Sequence, residues 1–196
     1  MYQFSFAFAA DGEQLALTVQ AGFQKLSQPS SEKLKTISVT SENAPGVLAD
    51  CSNLVLVLSP LIWVCGTAVE ALRLAQATSM NVVVVYIPTL PPPHVPLYPT
   101  ASSPQIHDQL LSCSVALEGL ILSAPADLKG LFDVVEAVPY RLHPFGERAC
   151  LRVLVELGGC GSYLAAPNKP IDEVGQRWGT KQSLGLFNPY SRHLAY

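Results

Sequence analysis

Two unbroken apolar runs constrain this chain more than any other feature. Residues 53–58 and 81–87 are apolar at nearly every position after an opening Asn. Neither run alternates apolar with polar residues. A strand with one wet face alternates, whereas a strand covered on both faces need not. Both runs therefore read as central strands of a parallel sheet with helices on either side.

Three more strands are expected. Residues 2–8 place Tyr2, Phe4, Phe6 and Phe8 on one face, residues 34–39 carry the β-branched Ile37 and Val39, and residues 117–122 are the fifth strand candidate. Helices fit between them. Asp11 caps one reaching Leu26, with Leu15, Val19, Gly22, Phe23 and Leu26 on one side. A second spans 67–78. A third starts at Ser103-Pro104, where Pro suits the first helical position. Asp127 caps a helix over 128–138, and a last one runs over 147–157 until Gly158-Gly159 stops it. On that helix Arg148, Arg152 and Glu156 lie four apart, which reads better as a solvated stripe than as a binding patch. Strands alternating with helices give right-handed crossovers, and ligands then bind beyond the carboxyl ends of the strands. Those ends fall at 8–11, 40–46, 59–63, 88–93 and 123–124.

Charge narrows the function classes. Only 14% of residues are charged, against about a quarter in an average domain. The net charge is −3 and no basic stripe is visible. A nucleic-acid partner and an anionic membrane surface both lack electrostatic support. The longest apolar run falls short of the ~20 residues of a membrane span. The early Asp11 and Glu13 do not suit a secretory signal. Cys51, Cys65, Cys113, Cys150 and Cys160 are odd in number and irregularly spaced, which fits a reducing, cytoplasmic setting. The Pro-rich loop around Pro91-Pro92-Pro93-His94 is a covering loop, a docking surface or an irregular connection. Residues 1–157 form the expected α/β domain, and 158–196 an irregular arm.

Few motifs carry chemistry. Neither phosphate-binding glycine motif follows the first strand. His94, His107, His143 and His193 are scattered, and no Cys or His pair has zinc spacing. Cys65, just past a strand end, is either a nucleophile or a buried structural thiol. Glu70 follows the third strand among Ala68, Val69, Ala71 and Leu72. It is either a carboxylate at a helix start or a group facing the ligand crevice.

The order of these parts resembles a TIR (Toll/interleukin-1 receptor-like) domain over residues 1–140. Such domains open on an aromatic-rich strand, as residues 2–8 do. They carry R-D-x-x-P-G after the second strand, where this chain has Ser41-Glu42-Asn43-Ala44-Pro45-Gly46. After the third strand many read S-P, an aromatic, W-C and a helical Glu; here stand Ser59-Pro60, Trp63, Cys65 and Glu70. The usual F-W near the last helix is missing, and Ser replaces Arg at position 41. The resemblance implies a flavodoxin-like or TIR-like three-layer sandwich with a five-stranded parallel sheet.

It also implies two kinds of function. One is cleavage of NAD, as substrate and not as cofactor, at the bond between nicotinamide and ribose. Glu70 is then catalytic, and Phe8, Asp11, Ser59 and Trp63 contact the substrate. The other is assembly without activity, in which Glu42, Asn43, Pro45 and Gly46 join copies into a homo-oligomer or a larger complex. A third expectation is a relative of the nucleoside deoxyribosyltransferases, which also use a Glu at a glycosidic bond.

Overall fold

The computed structural model describes residues 2–26, 33–89, 104–142 and 144–164; the side chains of residues 104, 107 and 144 lie outside it. All of these belong to the unit Met1–Ala165. The Pro-rich segment 90–103, His94, His143, His193 and the arm from 165 onward fall outside the described residues.

The elements run β1 (Tyr2–Ala7), α1 (Glu13–Leu26), β2 (Thr36–Ser38), α2 (Ala44–Ala49), β3 (Cys51–Leu58), α3 (Gly66–Ala77), β4 (Asn81–Pro88), α4 (Pro104–Leu111), β5 (Ser114–Val115), α5 (Leu117–Leu122), β6 (Ala137–Pro139) and α6 (Pro144–Leu157). The strands lie in the order β2-β1-β3-β4, and all pairs are parallel. β4 also pairs with two short strands: β6 along Val84 to Tyr86, and β5 along Ile87 and Pro88. The fold is α/β, with a parallel sheet flanked by helices in a flavodoxin-like, three-layer arrangement.

The apolar runs become double-faced strands because alternate side chains enter two different cores. Phe4, Phe6, Val55, Val57, Val83 and Val85 pack toward α1 and α6. Leu54, Leu56, Leu58, Val82 and Val84 pack toward α2 and α3. On the first face, a Cβ on Gly22 of α1 would stand 2.4 Å from Leu151 Cδ1 of α6. The two helices approach that closely because position 22 lacks a side chain. Phe23 fills the same core against Phe4, with ring centroids 4.9 Å apart.

One expected strand and one expected helix change identity. Residues 117–122 form helix α5, not a strand. Glu118 and Gly119 interrupt the segment, and Leu117, Leu120 and Ile121 stand at the i, i+3, i+4 spacing of a helix. Residues 128–138 do not form one helix: a 3-10 turn covers Lys129–Asp133, and the chain then straightens into β6. The β-branched Val134, Val135 and Val138 disfavour helix there. The turn at 40–46 also differs, because Ala44-Pro45-Gly46 make the first turn of α2, with Pro beside the helix start.

Candidate functional site

The strand order reverses direction at β1, so the crevice between the carboxyl ends of β1 and β3 is where such sheets place ligands. Asp11 stands in the 3-10 turn Ala10–Gly12 that follows β1. It lies inside that turn, whose N-cap is Ala9, so it does not stand at the cap position expected of it. Instead it bridges to the end of β3. The Ser59 hydroxyl donates to Oδ1 at 2.6 Å, and the Leu61 backbone N–H donates to Oδ2 at 3.1 Å. Ser59 itself is buried. Two of the four residues expected at a substrate are thus brought into direct contact, and each is occupied by the other.

Phe8 and Trp63 flank this clasp without facing each other across it. Phe8 packs on the α1/α6 core, and its carbonyl accepts a 3.6 Å contact from the half-buried Cys65 thiol. Trp63 packs on the other core. Its indole N–H donates to the Leu120 carbonyl at 2.7 Å, and its ring meets Phe132 edge-on at 5.8 Å. This pins the β3–α3 loop to α5. Leu61 and Val64 of that loop stand outward, Val64 with 79% of its surface in solvent, and Leu122 at the end of α5 is 74% exposed.

Glu70 lies elsewhere. It is the fifth residue of α3, past the first turn. Its side chain is 59% exposed and pairs with Arg73 at 3.9 Å. Arg73 in turn binds Asp127 at 2.8 Å. That guanidinium holds the Asp127 carboxyl below the usual carboxylate range. The helix turns Glu70 outward because Ala68, Val69, Ala71, Leu72 and Ala75 make the stripe that meets the sheet. The signal was present in the sequence: Glu70 and Arg73, three apart, fall on the side opposite that stripe.

In the turn after β2, Asn43 is bound within its own loop: its Oδ1 accepts from the Thr40 N–H at 2.7 Å, and its Nδ2 donates to the Ser38 carbonyl. Glu42, Pro45 and Gly46 are exposed at the same end of the sheet as Asp11. Sequence reasoning passed over Tyr140, just past β6. Its hydroxyl is buried, and burial together with the neighbouring Glu147 carboxylate keeps it protonated.

The arrangement at the carboxyl ends is acidic and internally satisfied. Asp11 would repel a phosphate, while its spare lone pairs could accept a hydroxyl. Among the described residues no group of three or more His, Cys, Asp or Glu could hold a metal ion. No helix among them is long and apolar enough to cross a membrane. No protein-family model matches the chain, and no curated protein matches it.

Proposed function

We propose that this chain is a non-enzymatic, TIR-like association module that binds further copies of itself through the carboxyl end of its sheet. The observation that carries this is the contrast at the crevice. Asp11 and Ser59 satisfy one another, while Leu61, Val64 and Leu122 stand in solvent around Trp63. Contiguous exposed apolar surface marks association sites more often than small-molecule chemistry. Low overall charge weakens the repulsion between copies. Glu42, Pro45 and Gly46, which the TIR resemblance assigns to assembly, are exposed at that same end.

The test is sedimentation velocity of the full chain over a wide concentration range, beside the double variant Leu61→Ser, Val64→Asp. The wild type should grow in mass with concentration and the variant should stay monomeric. A wild type that is monomeric throughout overturns the proposal.

A second reading is NAD cleavage, favoured by Asp11 and Ser59 meeting at the strand switch point, where a carboxylate could hold ribose hydroxyls. Glu70 would act in it only if a neighbouring copy buried it. NAD consumption by associated wild type, lost in Glu70→Ala, would select this reading; turnover of nucleosides but not NAD would select the deoxyribosyltransferase-like one.

A further inference from the structure

The opposite end of the sheet carries an unfinished edge. β6 joins β4 only from Val84 onward, although β4 begins at Asn81. The Tyr140 N–H donates to the Tyr86 carbonyl, so even-numbered residues of β4 turn their peptide groups toward β6. By that alternation the N–H and C=O of Val82 point to the same side, below the last β6 pair. The β6 ladder does not reach them, and no described turn or loop residue bonds them. Val82 is nevertheless only 7% exposed. Unpaired peptide groups on so buried a residue are costly unless something completes them.

What faces them is a cavity of about 530 Å³, lined by Val82, Val83, Leu131, Val134, Glu136 and Leu157 among others. Its lining mixes apolar side chains with Ser79, Asn81 and the acidic Glu136, and includes no basic residue. Val134 and Val135 leave the 3-10 turn just before β6 and do not reach the edge.

We infer that the amino end of β4 accepts one residue of an extended peptide from a partner protein. The complement of one residue's free N–H and C=O is one residue of an antiparallel strand, which exchanges both bonds. An apolar side chain on that peptide fills the space above Leu131 and Leu157, and a flanking Lys or Arg meets Glu136. This site lies at the end of the sheet away from Asp11 and does not rest on the association reading above.

The experiment is an amide NMR titration of the full chain with acetyl-Lys-Ile-Val-Ile-Lys-amide. Its controls are the same peptide N-methylated at the central Val and a Glu-flanked version. The expected result is a shift confined to residues 80–83 and 134–136. Exchange of the Val82 amide should slow about tenfold, the size of one added hydrogen bond. N-methylation should weaken binding by a similar factor, and Glu136→Lys should transfer preference to the Glu-flanked peptide. The inference is overturned by a Val82 amide already as protected in the free chain as that of Val84. It is equally overturned by the parent and N-methylated peptides binding alike, or by no shift at millimolar peptide.

Discussion

Asn53 shows how one polar side chain can organise the amino ends of three strands. It is buried on β3, where an apolar residue is the default. Its Nδ2 donates to the Gln3 carbonyl of β1 at 2.9 Å, and its Oδ1 accepts from Asn81 Nδ2 of β4 at 2.6 Å. Asn81 also donates to the Leu157 carbonyl at the end of α6. The amide thus fixes register between neighbouring strands and ties them to a helix terminus. Replacing Asn53 with Ala removes two part-buried hydrogen bonds, to the Gln3 carbonyl and from the Asn81 amide. Urea denaturation should report a loss of about 1–2 kcal/mol, with an unchanged slope. The sequence marked positions 53 and 81 only as openings of apolar runs. Their pairing became visible once β3 and β4 were in register, because two Asn residues 28 apart have no local reason to meet.

Helix ends belong to the next scale. α3 and α6 stop in the same way, with a residue of left-handed backbone just past the helix: Ser79 at φ 53° and Gly159 at φ 68°. In each, the following N–H reaches back to a carbonyl five residues earlier, Met80 to Ala75 and Cys160 to Val155. Glycine carries no steric cost in that conformation and serine does. Ser79→Gly should therefore stabilise the chain by about 0.5–1 kcal/mol, read as a higher thermal midpoint. Gly158-Gly159 announced the end of α6 in the sequence; the end of α3, expected at 78 and found at Ala77, has no glycine to mark it. The same scale explains the change of identity at 117–122. Only four of its six residues are apolar, and Leu117, Leu120 and Ile121 keep helical spacing, which a strand reading overlooks.

At the scale of the whole molecule, the sheet separates two cores that share every central strand. The thiols sample both. Cys51 lies in the α2/α3 core, and Cys113, Cys150 and Cys160 lie in the α1/α6 core. Burial pushes the Cys113 thiol up to about 11, with the charge of Asp11 adding to it. Cys65 is the half-buried one at the mouth. Iodoacetamide on the native chain should modify Cys65 first and spare the other four, as peptide mass spectrometry would show. Across a urea titration the four buried thiols should become reactive in a single transition, because neither core can open without stripping the shared strands. Separate transitions for Cys51 and Cys113 would show the two layers unfolding independently.

The sequence by itself determined the central strands, the three long helices and the parallel α/β class. Those features follow from local periodicity, which a linear reading records directly. It also brought Asp11 and Ser59 to the same end of the sheet, since both directly follow strands. The tertiary structure decided that these two groups bond each other and that residues 114–139 divide into two short strands, a helix and a 3-10 turn. It also decided that Val82 is left with an open peptide edge. Each of these depends on which segments become neighbours across the sheet, and that is set by packing and register between residues far apart in the chain.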